Sequence, residues 1–437
     1  MTPEPAPPRI LLNYLYYSPV GHAIEALQLA KGLHAANPGS EVHVALSDAT
    51  AWELTSGCPW IAATYRVPLR DLAPGRLSVP DMPREWDYIV ENNLLRVEFE
   101  HPAVLGRPDG QYPPMGWEEA AILGYLHRCA ATLTARRGHG VLSPAIRLPD
   151  GLRYARSPLR LQVPVASRTL AARYTSRGQG PRICVLPAGS GPAAFYPDTA
   201  SWTAIIAALR ARFDGAQLYL TGATRPGRHP GLTSTTGGGA LLDGILVASP
   251  EVTDCRDIGL WNQVALIEAC DLLVSPHSGF AFLAPCVGTP WLAISGGNWP
   301  EYFYNEVPFY SSLPDNPEYP YVGRYDYDYA GPPLPEVRRE ALLARIPDIL
   351  DGAAFLLDPA TTYAAAVDRF RANLRRSRVR RDLIPLPPAP QPLRHGHGTA
   401  EREQGHAWRR RPVQLRQPGE PKGPVEGLRG QAAAQAG

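Results

Sequence analysis

The chain has 437 residues, 44% of them apolar and 19% charged, with 40 Gly and 48 Pro. At about 150 residues per domain this length suggests two or three domains, each able to bury a sizeable core. Its 43 basic and 41 acidic residues leave a net charge of +2, which argues against nucleic acid or acidic lipid as a main partner.

The opening MTPEPAPPRILL lacks the basic segment and long apolar stretch of a secretory signal, so the expected location is the cytoplasm. Arg9–Tyr17 is a short apolar, aromatic-rich run and reads as a buried strand. Ser18-Pro19-Val20-Gly21-His22 breaks it, and Ala23–Ala36 follows with Ile24, Leu27, Ala30 and Leu33 at helical spacing. EVHVALS at Glu41–Ser47 alternates like a strand, completing a parallel βαβ unit, and Ile61–Val67 reads as a third strand. Residues 68–115 are rich in Pro and turn residues and have no clear period, whereas Trp117–Arg137 reads as a helix. The Pro-, Gly- and Arg-rich stretch 138–180 places the inter-domain connection near 165–180.

A second α/β series opens with a strand at Arg182–Pro187, a loop at Ala188–Thr199, a helix at Ser201–Phe213 and a strand at Ala216–Thr221. A Gly-rich loop, Gly222–Gly239, leads to a short strand at Ile245–Ser249 and a helix at Leu260–Ala269. Asp271–Ser275 is a strand, Pro276-His277-Ser278-Gly279 a loop, Phe280–Val287 a short helix and Pro290–Ser295 another strand. Residues 299–335 read as an irregular, Tyr/Pro-rich ordered segment, and Pro335–Leu350 and Thr361–Arg381 as helices. From Pro385 onward nine prolines and almost no aliphatic periodicity predict a disordered tail, 385–437, which also holds eight of the basic residues. Two successive βα series predict two doubly wound domains facing one another. No apolar run approaches the roughly 18–20 residues of a membrane span. The six scattered cysteines include no C-x-x-C pair, so reduced, mostly buried thiols are expected.

Three loops carry candidate chemistry. Gly21-His22 lies at the carboxyl end of a parallel strand, where open α/β sheets place ligands. A neutral imidazole there is suited to taking a proton from an attacking hydroxyl, although a histidine that only caps the helix accounts for the residues equally well. Glu25, one turn on, is a candidate for orienting an acceptor, or an ordinary solvated carboxylate. His277-Ser278-Gly279 again joins strand to helix, an arrangement whose backbone N–H groups attract anions without a lysine; an ordinary βα turn gives the same pattern. Gly189-Ser190-Gly191 is a small-residue loop ending the first strand of the second half. It is neither G-x-G-x-x-G nor a P-loop, so dinucleotide and Walker-type readings fail. Arg225 and Arg228 are candidates for neutralising phosphate, with a solvated loop as the competing reading. Asp326-Tyr327-Asp328 has the form of a cation-binding D-x-D, but its Tyr/Pro context argues against a metal. The arginines from Arg369 to Arg381 allow at most peripheral membrane contact.

Three segments resemble a known family: NYLYYSPVGHAIEALQLAKGLHAANPGSEVHVAL, VLPAGSGPAAFYPDTASWTAIIAAL and LIEACDLLVSPHSGFAFLAPCVGTPWLAISGGNWP. They are similar to the opening strand and helix, the second-domain opening and the sugar-nucleotide segment of GT-B glycosyltransferases. The closest match is glycosyltransferase family 9, the ADP-heptose-using heptosyltransferases. The resemblance covers roughly residues 9–300. It implies a GT-B α/β fold in which 1–170 binds the acceptor and 171–350 the nucleotide sugar across a cleft. Residues 351–384 would pack back on the first domain. It also implies inverting, metal-independent sugar transfer with no resident cofactor, to a glycan, lipid-linked or small-molecule acceptor.

Departures from the family pattern adjust the roles. The family's Gly-Asp is Gly21-His22 here, which passes the base to His22, with Gly21 and Glu25 on the acceptor side. The family's Lys before an aromatic-Pro pair is absent, with Ala194 nearby, and its Asp-Thr-Gly is His277-Ser278-Gly279. The donor diphosphate would rest on Gly189–Gly191 and His277–Gly279, with His277 as a cation beside the leaving group. Because these changes touch the donor site, the donor need not be an ADP-heptose. A sugar-nucleotide 2-epimerase of the same architecture and a catalytically inactive nucleotide-sugar-binding protein remain the alternatives.

Overall fold

A computed structural model describes residues 6–14, 20–48, 50–67, 81–91, 133–141, 148–175, 178–189, 191, 193–224, 235, 238–295, 305–319, 337–381, 384 and 386–387. The apolar run that opens the chain forms β1 (Arg9–Tyr14), and α1 (Val20–Ala36) leads to β2 (Glu41–Ser47). Ile10, Leu11 and Leu12 are all fully buried, as in a parallel strand covered on both faces. With β3 (Ile61–Val67), β4 (Glu85–Glu91) and β5 (Thr134–Val141) they build a parallel sheet ordered β3-β2-β1-β4-β5.

The second series begins with α2 (Val165–Thr175), β6 (Arg182–Val185), α3 (Thr199–Arg212), β7 (Gln217–Leu220) and α4 (Gly238–Ala248). It continues through β8 (Thr253–Asp254), α5 (Leu260–Ala269) and β9 (Leu272–Pro276). A 3₁₀ turn at Gly279–Phe282 then leads into α6 (Leu283–Val287), β10 (Trp291–Ile294) and β11 (Phe309–Ser312). These strands form a parallel sheet ordered β11-β10-β9-β6-β7-β8. In both sheets the order runs outward from a central pair, β1/β4 and β6/β9, which is the doubly wound pattern. The two doubly wound parallel sheets expected from the sequence are present.

The chain closes with α7 (Arg339–Leu357) and α8 (Tyr363–Arg376). Leu342, Ile349, Ala353 and Leu356 of α7 share a core with Leu292 and Ile294 of β10. The α8 helix lays Tyr363 and Phe370 against Phe309 of β11, at ring separations of 6.0 and 5.8 Å. One apolar cluster runs through both halves, joining Val20, Ala23, Ile24 and Leu27 of α1 to Phe280, Ala281, Phe282 and Leu283. Buried Asn305 adds polar stitching: its Oδ1 accepts from Leu159 N–H at 2.6 Å, and its Nδ2 donates to Leu159 O and, at 3.2 Å, to Pro285 O.

Several elements differ from the sequence reading. Ile245–Ser249 is not a strand: residues 245–248 end α4, whose Leu242 and Ile245 turn inward at helical spacing while Val247 is exposed. A short apolar run has no period of its own to separate strand from helix. Residues 134–137 of the expected helix Trp117–Arg137 belong to edge strand β5, where Arg136 and Arg137 pair with Glu85 and Asp87 of β4; residues 117–132 lie outside the described ones. The connection placed at 165–180 holds α2, fixed to α5 by a two-pronged Arg168–Glu268 pair at 2.7 Å. Strands β4 and β11 arise in stretches read as irregular. The tail 385–437 lies outside the described residues apart from 386–387.

Candidate functional site

The central pair of the second sheet is the point where the strand order reverses, and ligands of open α/β sheets sit outside the carboxyl ends of such strands. The chain leaves β6 through Leu186–Gly191 and leaves β9 through His277–Gly279. These loops touch: a Cβ built on Gly189 would stand 2.7 Å from Ser278 Cβ. Two aromatic donors and acceptors fix the first loop from outside. Fully buried Trp202 of α3 donates from Nε1 to Pro187 O at 3.0 Å, and the Tyr196 hydroxyl accepts the Gly191 N–H at 2.9 Å.

The second loop is held just as closely. Ser278 caps the 3₁₀ turn, its hydroxyl accepting the Ala281 N–H at 3.4 Å. The His277 ring is buried between Phe282 and Trp291, with centroid distances of 5.5 and 5.9 Å, and Trp291 in turn donates to Ser275 Oγ at 2.8 Å.

In the first half, α1 leaves the carboxyl end of β1, whose other neighbour β4 makes this the matching reversal point. Gly21 and Gly279 bring the two points together. A Cβ on Gly21 would lie 2.9 Å from Gly279 Cα, and one on Gly279 would lie 2.8 Å from Gly21 N. Real Cβ atoms do not approach backbone so closely, so the pair of glycines is what lets α1 meet the 277–282 turn. Next to this contact stands His22, whose side chain is 39% exposed; its Nδ1 lies 3.2 Å from Oε2 of Glu25.

The structure therefore joins Gly21 to Gly279, Gly189 to Ser278 and His22 to Glu25. It gives the two glycines a packing task between the halves that the sequence reading, which kept them for substrate, did not foresee. Ser190, Arg225 and Arg228 lie outside the described residues, as does the Asp326–Asp328 pattern. Among the described residues no three His, Cys, Asp or Glu side chains gather as a metal site would need. No described helix is long and apolar enough to cross a membrane. Cys58, Cys184, Cys255, Cys270 and Cys286 are free and buried, and burial pushes the Cys58 and Cys255 thiols up to about 12.

Other positioning residues escaped the sequence reading. Asp198 caps α3, accepting the Ser201 N–H at 2.7 Å. Burial raises its pKa, but bonds to Ser201 and the charge of Arg339 outweigh that and hold it below the usual carboxylate value. Beyond β10 and β11, Arg345 donates to Ser295 O at 2.8 Å and to Ser312 O, while Asp348 accepts from Ser312 Oγ at 2.7 Å and from the Tyr310 hydroxyl. Burial lowers the Arg345 guanidinium to about 10, against the partly offsetting charge of Asp348. Asp198 carried a readable signal, an acidic cap directly before a helical period; Arg345 carried none, since an arginine in a helix reads as solvated.

No protein-family model matches the sequence, and no match was found among curated proteins. Among solved structures the chain is similar to E. coli ADP-heptose LPS heptosyltransferase II, at 16% identity and a TM-score of 0.45, over 79% of this chain and 99% of that one. It is similar to a family 9 glycosyl transferase from Veillonella parvula DSM 2008, at 12% identity and a TM-score of 0.48, over 81% and 98% of the two chains. A spinosyn rhamnosyltransferase is similar at 16% identity and a TM-score of 0.31, over 82% and 94%. All three of these solved structures are of glycosyltransferases.

Proposed function

We propose that the protein is a glycosyltransferase that moves a sugar from a nucleotide-sugar donor to an acceptor hydroxyl, with inversion and without a metal. The observation that supports the reading is the meeting of the two reversal points at Gly21 and Gly279, which brings the start of α1, the helix that carries His22, against the loop after β9. The donor diphosphate lies along Gly189–Gly191 and His277–Gly279, neutralised by backbone N–H groups and the Ser278 hydroxyl. The acceptor is a glycan, a lipid-linked sugar or a small molecule, on the side of Gly21.

In the transfer step His22 takes the proton from the acceptor hydroxyl. The oxygen forms its bond to the anomeric carbon from the face opposite the diphosphate. The carbon–oxygen bond to the diphosphate breaks as it forms, and its electron pair leaves on the phosphate oxygen. Fixed N–H dipoles stabilise that charge without reorganising. Trp202 and Tyr196 hold the first donor loop in place for this, and Trp291 and Phe282 hold His277 behind the second.

The test has two arms. A thermal-shift screen of nucleotide sugars, with UDP, GDP, ADP and dTDP as controls, should give one nucleotide class that raises the unfolding temperature. With that donor and an acceptor panel, His22→Ala should lower kcat by about 10²–10⁴-fold while leaving donor affinity nearly intact. Unchanged turnover in the variant would remove His22 as base, and no response to any nucleotide would remove the donor site.

A further inference from the structure

We propose that the arginine-rich end of α8 is a docking surface for an anionic lipid bilayer, a reading that does not depend on the transferase assignment. The small net charge of the chain conceals a division. Residues 1–368 hold 28 basic and 36 acidic side chains, whereas residues 369–437 hold 15 and 5. Seven of those fifteen are arginines between Arg369 and Arg381, a stretch without Asp or Glu. Arg369 lies over the rings of Phe355 and Tyr310, at 4.7 and 5.2 Å. Arg371 pairs with Asp368 at 3.4 Å and Arg378 with Asp315 at 2.8 Å. The other four, Arg375, Arg376, Arg380 and Arg381, are exposed and have no carboxylate partner among the described residues.

Stability does not call for this charge. A basic last turn complements the helix dipole, which accounts for Arg375 and Arg376, but Arg378, Arg380 and Arg381 lie beyond the C-cap Ser377. Arg371 and Arg375 stand four apart on the helix, a like-charge spacing that weakens it. The segment past the helix is anchored: Val379 and Ile384 are buried, and Arg380 N–H donates to Tyr319 O at 2.7 Å. Arg381 reaches back to Arg375 O and Ser377 O, at 2.7 and 3.1 Å, which keeps its charge beside that of the last turn. The occupant follows from what accompanies these groups. Nucleic-acid strands are gripped by stacking bases on aromatic rings, and both aromatics of α8, Tyr363 and Phe370, are buried against Phe309. Leu386, five residues after Arg381, is 54% exposed, and an apolar side chain beside basic ones in the chain suits the headgroup boundary. Guanidinium groups fit lipid phosphates, and each one near an anionic leaflet strengthens partitioning about fivefold. The net negative charge of residues 1–368 is repelled by the same leaflet, which turns the arginines towards it.

Vesicle sedimentation of the full chain tests the proposal. The protein should bind phosphatidylcholine vesicles that contain phosphatidylglycerol and ignore phosphatidylcholine alone. It should come off near 1 M salt, where charges are screened within about 3 Å. Arg375→Gln, Arg376→Gln, Arg380→Gln and Arg381→Gln combined should weaken binding by about 100-fold or more, and the same four positions changed to Lys should keep most of it. Thermal unfolding by circular dichroism checks that the variants fold. If the combined Gln variant does not, Arg376→Gln and Arg380→Gln singly, each expected to weaken binding about fivefold, decide the question. Arg409→Gln, Arg410→Gln and Arg411→Gln combined should cost less than the four changes on and after α8. No binding to the anionic vesicles, equal binding to neutral ones, or binding that survives the Gln changes overturns the proposal. So does a larger loss from the 409–411 variant, which would move the contact away from α8. Tighter binding to single-stranded RNA than to the vesicles would overturn it in favour of nucleic acid.

Discussion

Gly279→Ala puts a methyl group into a tight backbone contact between the halves of the molecule. Its Cβ would lie 2.8 Å from Gly21 N and 2.9 Å from Gly21 Cα, and the nearest side-chain carbon, Val20 Cγ1, is 3.9 Å away. Carbon contacts are most favourable at about 3.5–4.0 Å, so relief requires the backbone of α1 to move back by roughly 0.6 Å or more. No rotamer change can do this, because both obstructing atoms are main chain. Overpacking of this kind costs about 1–3 kcal/mol. At about 2–4 °C per kcal/mol for a domain of 150–250 residues, the thermal midpoint should fall by several degrees. Thermal unfolding by circular dichroism measures it, and donor titration of the same variant should show weaker binding as the 277–279 loop shifts. Gly21→Ala meets Gly279 Cα at 2.9 Å from the other side, and because both changes act on one contact their effects should not add. An unaltered midpoint and donor affinity in Gly279→Ala would refute the claim that this glycine pair sets the distance between α1 and the turn.

Three further outcomes follow from the contacts described. Trp202→Phe leaves the Pro187 carbonyl without its buried donor, at a cost of about 1–3 kcal/mol, and should raise the donor Kd; urea denaturation and donor titration check the two parts. Asn305→Ala strands the Leu159 N–H and the carbonyls of Leu159 and Pro285, and should cost about 3 kcal/mol or more in the same denaturation assay. Asp198 has a depressed pKa, so its cap contributes fully above the unfolded carboxylate value and is lost as pH falls through the lower folded one. The stability gap between the unmodified protein and Asp198→Ala should therefore be about 1 kcal/mol near pH 7 and close as pH drops below about 4.

Most strands of the doubly wound sheets were legible because they are apolar and punctuated by Gly and Pro: β1, β2, β3, β6, β7 and β10 fall within the stretches read as strands, and β9 runs one residue past its stretch, to Pro276. Edge strands β5 and β8 were not. Strand β8 is two exposed residues, Thr253–Asp254, and β5 carries arginines that pair with β4 rather than a hydrophobic alternation. Helix α4 was misread because LLDGILVASP is apolar on successive residues, which hides the inward pair Leu242 and Ile245. At the candidate site, the loops after β1, β6 and β9 were readable from their small residues at strand ends. What could not be read was that Gly21 faces Gly279 and that Trp202 and Tyr196 brace one loop, since these are contacts between residues up to 258 positions apart. The His22–Glu25 spacing was visible, but the choice of Nδ1 as the bonded nitrogen is a matter of side-chain geometry alone.

The apolar cluster shared by α1 and the segment Phe280–Leu283 bears on any attempt to build hybrids from this protein. Swapping one half for that of a distant relative would put foreign surfaces on either side of a seam that tolerates no methyl group at its centre. Such chimeras should be insoluble unless the donor of the new half brings its own glycine to that seam and the greasy residues around it travel as a matched set.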